Sequence, residues 1–168
     1  MPSSDNAVQP RPVGLPLRLA AMTYEGVLLF GVAFAVAFAL LSVMGWTYPL
    51  SATRRVVLQL ALFVAIGVYF VWCWTRSGQT LALKTWKLRL AGPDGSRVST
   101  PRAVARYVLS WHLFVPGLIV IALDPSNLIA SLAALALSFG LLLLPALRDP
   151  ERRLLHDRWT QTRLLRDS

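Results

Sequence analysis

Four long apolar stretches, separated by polar segments, dominate the hydropathy pattern of the chain. They predict transmembrane helices at about residues 19–44, 56–75, 104–123 and 128–147. Each stretch is near or above the roughly 18 apolar residues that a helix needs to cross a bilayer. The third stretch fits least well because it contains His112 and Pro116. The pattern predicts an all-α membrane protein, a four-transmembrane-helix bundle.

The segments outside these stretches predict three further regions. Residues 1–16 are polar and proline-rich, which is typical of a disordered tail, and residues 17–166 form the membrane domain. Residues 76–103 form a loop after the second helix. Residues 148–168 form a C-terminal segment in which leucines and Trp159 recur at helical spacing against charged residues, so we expect an amphipathic element lying on the membrane surface.

The loop also contains the alternation of a short β-strand. Apolar and basic residues alternate over 86–90, and the turn signal Gly92-Pro93-Asp94-Gly95 follows. Residues 97–99 could return as the second strand of a small β-hairpin, and residues 162–165 could add a strand to it. The sequence allows both pairings.

The basic residues are distributed very unequally between the two sides of the predicted membrane. Seven lie between helices two and three and six follow helix four, whereas the first outer turn has only Arg54 and Arg55. By the positive-inside rule, both termini and the middle loop are cytoplasmic, N-in and C-in. The net charge of +9 therefore predicts contact with anionic lipid headgroups and not with nucleic acid.

The chain offers little for catalysis or metal binding. Cys73 is the single cysteine, and His112 and His156 lie on segments without an acid pair at ligand spacing. No nucleophile–base pair is recognisable. We expect no enzyme activity, no metal and no cofactor.

Arg18 and Glu25 are the charged residues at the start of the first helix. Seven residues are close to two helical turns, which places both on one face about 10 Å apart. A carboxylate that enters the hydrocarbon layer needs a charged partner, a proton or water. We therefore expect Glu25 to lie near the cytoplasmic interface in a cluster with Arg18, Asp157 and Arg158.

Three segments resemble the RDD family of bacterial membrane proteins, which is named for one arginine and two aspartates. They are Arg18-Leu19-Ala20-Ala21 with an acid seven residues later, Gly78 to Leu90, and Leu155-His156-Asp157-Arg158 followed by Thr162-Arg163. The resemblance implies that Arg18 is the family arginine, Asp157 the second aspartate, and Glu25 a substitute for the first. It also implies a bacterial cytoplasmic (inner) membrane protein, with a link to transport for some members.

Two functions follow from these residues. The favoured one is a structural or accessory membrane protein in which the family-signature charge network of Arg18, Glu25, Asp157 and Arg158 holds the helices together. The alternative is a small-ligand or cation/proton transporter that uses Glu25, with His112 and Pro116 in the proton or ion pathway. Four helices are few for a transporter, so the alternative favours a homo-oligomer; the ligand is not specified by the sequence.

Overall fold

Helices make up most of the described chain. The computed structural model describes residues 13–111, 114–123, 127–148 and 154–166. The helices are α1 (Leu15–Met44), α2 (Ala52–Arg76), α3 (Leu81–Thr85), α4 (Thr100–Ser110), α5 (Val115–Leu123), α6 (Leu128–Arg148) and α7 (Leu155–Trp159). The strands are β1 (Leu88–Ala91) and β2 (Arg163–Arg166).

Helices α1 and α2 are each long and apolar enough to cross a membrane. Their outward faces carry large apolar side chains, among them Phe30, Phe34 and Phe38 on α1 and Val64 and Val68 on α2, all more than half exposed. Contiguous apolar surface of this extent is rare on soluble proteins and typical of lipid contact.

Helix α1 begins earlier than the sequence predicts. Its first residue is Leu15, Pro16 lies in its first turn, and Val13 is buried in the core. We expected residues 1–16 to form a disordered tail, and for residues 13–16 this expectation is wrong. Proline suits this position because the first turn of a helix has no partner for its amide hydrogens.

The third predicted span is not one continuous helix. Helix α4 ends at Ser110 and α5 begins at Val115, so each is shorter than a membrane span. Pro116 is the second residue of α5, where proline is tolerated because amide hydrogens in the first turn of a helix have no intrahelical partner. Residues 112 and 113 lie outside the described part of the chain.

Helices α5 and α6 pack against each other. A Cβ atom on Gly117 would lie only 2.5 Å from Cγ of Leu135, so the glycine lets the two backbones approach closely. Helix α6 covers the fourth predicted span and includes the apolar stretch Leu128–Leu141.

Strands β1 and β2 form an antiparallel sheet that joins distant parts of the chain. Leu88 lies opposite Arg166, and Ala91 opposite Arg163. The prediction that residues 97–99 return as a partner strand is wrong. Residues 162–165, which were expected to add a strand, overlap β2, and β2 pairs directly with β1. After the turn at 92–96, Val98 is buried in the core instead of pairing along an edge.

Gly78 connects the end of α2 to this sheet. Its carbonyl oxygen accepts a hydrogen bond from the Leu90 amide at 2.7 Å, and its φ is +74°. A Cβ atom at this position would lie 2.6 Å from the Leu90 carbonyl oxygen. Glycine is therefore required twice, for the positive φ and for the close contact.

The core lies at the end of the bundle where the sheet covers the helices. Its buried side chains include Trp74 of α2, Leu88 and Leu90 of β1, Tyr107 of α4 and Leu164 of β2. The sheet therefore closes one end of the group formed by α1, α2 and α4, and this end carries the charged residues described next.

Candidate functional site

Asp157 lies at the centre of a buried cluster of charged and polar side chains. Its Oδ2 is 2.7 Å from Nη1 of Arg18, and its Oδ1 accepts a hydrogen bond from Nη1 of Arg106. Asp157 is 0% exposed and Arg18 is 3% exposed. The carboxylate thus joins α1, α4 and α7 at one point. We call Asp157, Arg18, Arg106, His156 and Thr162 the Asp157 cluster.

The local backbone holds the Asp157 carboxylate in place. The Leu154 amide donates to Oδ2 at 3.1 Å, as expected for an acid in the first turn of a helix. The Thr162 amide donates to the Asp157 carbonyl oxygen at 2.9 Å, which turns the chain from α7 into β2. The short helix and the strand are therefore built around this one residue.

The environment of Asp157 sets its ionisation. Burial alone raises the pKa of a carboxyl group, but Arg106, then His156 and Arg18, favour the charged form and hold the pKa of Asp157 well below its usual value. His156 contributes through Nε2, which lies 3.5 Å from Oδ1. The carboxylate remains ionised and fully paired near neutral pH, so it does not act as a proton acceptor.

The two arginines are each fixed by a second contact. Arg18 donates from Nε to the Val13 carbonyl oxygen at 3.2 Å. Arg106 donates from Nη1 to Oγ1 of Thr162 at 2.6 Å, and its guanidinium carbon lies 5.3 Å from the ring centre of Trp74. Arg106 Nε is buried and has no hydrogen-bond partner among the described residues.

Glu25 lies in a separate polar site. Its Oε1 accepts a hydrogen bond from the Tyr69 hydroxyl at 3.0 Å, and its Oε2 accepts one from Oγ1 of Thr80. Thr80 is buried and also accepts from the Leu83 amide at the start of α3. Glu25 therefore links α1 to α2 and α3 through neutral hydroxyl groups.

The four residues of the expected charge network therefore do not form one cluster. Arg18 and Asp157 meet, while Glu25 makes no ion pair with a described residue. The Arg158 side chain is exposed and likewise has no described acidic partner. The expectation that Glu25 joins the cluster is wrong, because its carboxylate accepts hydrogen bonds from Tyr69 and Thr80 instead. The expectation for Arg158 is also wrong, because this side chain lies on the exposed face of α7.

Of the expected ion pathway, the structure describes Glu25 and Pro116, and these two residues do not share a site. His112 lies outside the described residues. Pro116 is exposed at the start of α5 and takes no part in the Asp157 cluster or the Glu25 site. The described residues contain no group of three or more His, Cys, Asp or Glu side chains that could hold a metal ion.

Sequence reasoning missed Arg106, Tyr69 and Thr80 as site residues. Arg106 is one of seven basic residues in its part of the chain, and the charge pattern assigns them all to membrane topology. Thr80 lies in the segment Gly78 to Leu90, and the resemblance of this segment to the RDD family is the one sequence signal that points to Thr80. Tyr69 lies within the second apolar stretch, whose pattern predicts only a membrane helix.

A cavity of about 380 Å³ lies between α1, α2 and α4, beside the Asp157 cluster. Arg18, Arg106, His156 and Asp157 line one end. The remaining wall is mainly apolar and aromatic, although Glu25 also contributes to it. The site as a whole is therefore a buried ion-pair cluster that opens onto an apolar cavity.

Comparison with known proteins identifies the family of the chain. The RDD family matches residues 12–161, nearly the whole chain, including Arg18, Glu25 and Asp157. The chain belongs to the RDD family. No curated protein matches it, and no solved structure does. In this RDD protein Arg18 and Asp157 form a direct buried ion pair.

Proposed function

We propose that this RDD protein is a multi-pass protein of the bacterial cytoplasmic membrane with a structural or accessory role. In this role the Asp157 cluster locks the C-terminal segment onto the helices. The observation that carries the proposal is the fully buried Asp157 carboxylate, which pairs with arginines 139 and 51 residues away along the chain.

The chemistry of the cluster supports an architectural role over catalysis. A carboxylate that two arginines keep ionised has no proton to give and does not readily take one. Removing one partner of a buried ion pair typically costs roughly 3–5 kcal/mol, so the cluster can serve stability alone. We propose accordingly that the protein is not an enzyme.

We further propose four membrane spans with both termini cytoplasmic. The distribution of basic residues supports this orientation. Helices α4 and α5 together would form the third span, with α6 as the fourth. In this arrangement the Asp157 cluster lies at the cytoplasmic end of the bundle, where anionic headgroups would contact the surrounding arginines.

Cysteine labelling in intact cells tests this topology. In a Cys73→Ser background, Thr53→Cys and Asn127→Cys should react with a membrane-impermeant maleimide, whereas Ser96→Cys should react only after lysis. Labelling of residue 53 but not of residue 127 would contradict four spans, because the α5–α6 hairpin would then lie on the cytoplasmic side. All three positions are exposed in the structure, so burial within the protein would not explain a difference in labelling between them.

Cation/proton exchange through Glu25 is the second candidate function. Glu25 favours it because this carboxylate lines the cavity and is held only by neutral hydroxyl groups, without an arginine. A carboxylate in such a setting is free to exchange a proton for a cation, whereas Asp157 is not.

Flux assays in liposomes separate the two functions. Purified protein is reconstituted, and proton-coupled Na⁺ or K⁺ flux is compared between wild type and Glu25→Gln. The structural role predicts no flux in either protein. Flux in wild type that is lost in a stably folded Glu25→Gln protein would establish exchange instead, and flux that survives the substitution would remove Glu25 from the mechanism.

A further inference from the structure

The cavity beside the Asp157 cluster has the features of a ligand site that an architectural role does not require. Its volume of about 380 Å³ falls within the range of small-molecule pockets, about 300–1,000 Å³. Such pockets are mainly apolar, with a few polar groups that orient the ligand. Here the two arginines and Asp157 lie together at one end.

Among the described residues, positive charge exceeds negative charge at that end. Arg18 and Arg106 contribute two guanidinium groups, whereas Asp157 contributes one carboxylate. Each guanidinium has five N–H donors, and Arg106 uses only Nη1 toward the described residues while its Nε remains unpartnered. The cluster therefore retains both charge and hydrogen-bond donors for one more acidic group.

The rest of the wall fits an apolar body. Leu29 of α1, Ile66 and Phe70 of α2, and Trp111 and Phe114 beyond α4 all line it. Glu25 also lines the wall, but its position is about 10 Å from that of Arg18 along the axis of α1, and its carboxylate is occupied by Tyr69 and Thr80. Because of this distance, the acidic group of a ligand next to the arginines would not lie against the Glu25 carboxylate.

We propose that this cavity binds a small amphiphile with one acidic head group and an apolar body. The head group, a carboxylate or a phosphate, lies against Arg18 and Arg106, and the apolar body lies between α1, α2 and α4. The ligand comes either from the membrane, as a single-chain lipid, or from solution, as an apolar organic acid. The proposal goes beyond the structural role and does not depend on ion flux.

Native mass spectrometry of the detergent-purified full chain tests the proposal. The probes are dodecanoic acid and dodecyl phosphate, with dodecan-1-ol as the uncharged analogue of equal length. We expect a one-to-one adduct with each acid and an affinity at least about tenfold above that of the alcohol, since hydrogen bonds to charged groups are worth this much. Equal affinities for the acids and the alcohol would overturn the proposal.

Two glycines of α1 offer a matched pair of variants for locating the site. Gly26 lines the cavity and Gly31 does not, and a Cβ atom on either meets no atom within 4 Å. We expect Gly26→Phe to weaken binding of dodecanoic acid roughly tenfold or more, and Gly31→Phe to leave it unchanged. Equal affinities in the two folded variants would refute this location. If Gly26→Phe fails to fold, the comparison of acid and alcohol in wild type still decides the proposal.

A soluble acid distinguishes the source of the ligand. If 3-phenylpropanoate displaces dodecanoic acid at a similar concentration, the site takes apolar acids from solution. If it does not, and an acidic lipid accompanies the protein through purification, the membrane is the source. Both results support the shared chemistry, whereas failure of every acid to bind refutes it.

Discussion

Asp157 and Glu25 show how neighbouring groups give two acids different roles. Asp157 is fully buried between arginines, which keep it charged. Glu25 is partly exposed and accepts hydrogen bonds from hydroxyl groups. At the scale of single residues, Asp157 therefore joins its helices through ion pairs, while Glu25 joins α1 to its neighbours through hydrogen bonds from hydroxyl groups.

Acid should destabilise the protein through Asp157. Because its pKa in the folded protein lies below the usual value of about 3.8, the stabilisation is fully present at pH values above that value and is lost as the pH falls below it. Asp157→Asn should lower the free energy of unfolding by roughly 3–5 kcal/mol at pH 7. Its melting temperature should then depend less on pH below about 4 than that of wild type.

Asp94→Asn is the control for this prediction, since Asp94 is an exposed carboxylate in the turn after β1. It should follow the wild-type profile. Parallel melting profiles for wild type and Asp157→Asn would show that Asp157 does not carry the acid sensitivity.

Arg18 should not tolerate replacement by lysine. Its guanidinium donates from Nε to Val13 and from Nη1 to Asp157, and a single ammonium group cannot reproduce this pair of directions. We expect Arg18→Lys to lower the free energy of unfolding by about 2 kcal/mol or more, measured by thermal melting in detergent. Arg158→Lys, at an exposed position, should change it by less than about 0.5 kcal/mol.

At the scale of elements, the junctions determine how the polar sites form. Thr80 begins α3 and also contacts Glu25, and Gly78 brings β1 against the end of α2. The segment 78–80 thus places the sheet and the Glu25 site together. These two structural roles explain why the segment Gly78 to Leu90 has a recognisable motif although much of it lies in a connecting region.

Gly78→Ala should be more destabilising than Gly95→Ala. Both glycines have φ above +70°, so both substitutions strain the backbone by about 1 kcal/mol. Only at Gly78 would the new Cβ also meet backbone, at 2.6 Å from the Leu90 carbonyl oxygen. Equal melting temperatures of the two variants would contradict this account of the junction.

Much of the fold could be predicted from the sequence, and part of the site could not. Apolar length predicts α1, α2 and α6, and the alternation around residue 88 predicts β1. The partner of β1 could not be settled, because residues 97–99 and 162–165 both carry suitable side chains. Arg106 could not be identified because pairing with a distant acid leaves no local pattern.

At the scale of the whole molecule, α7 and β2 complete the fold. They supply the second strand of the sheet and the acid that neutralises Arg18 and Arg106. Without them, two buried arginines would lack their carboxylate and β1 would have an open edge.

Deletion of residues 154–168 should therefore prevent stable folding. We expect the truncated protein to aggregate on extraction or to melt well below wild type, as followed by size-exclusion chromatography and thermal melting in detergent. Deletion of residues 2–10, for which the sequence predicts no packing, is the control and should leave both measurements unchanged. A truncated protein with wild-type melting would show that α7 and β2 are dispensable.

The separation of Arg18 and Asp157 along the chain also sets an order of events during biosynthesis. At roughly 5–20 residues per second, the ribosome adds Asp157 about 7–28 s after Arg18, which precedes it by 139 residues. During this interval the arginine must remain in contact with water, headgroups or the insertion machinery. The ion pair between Arg18 and Asp157 can therefore form only after translation has passed residue 157, so this part of the fold is completed late in synthesis.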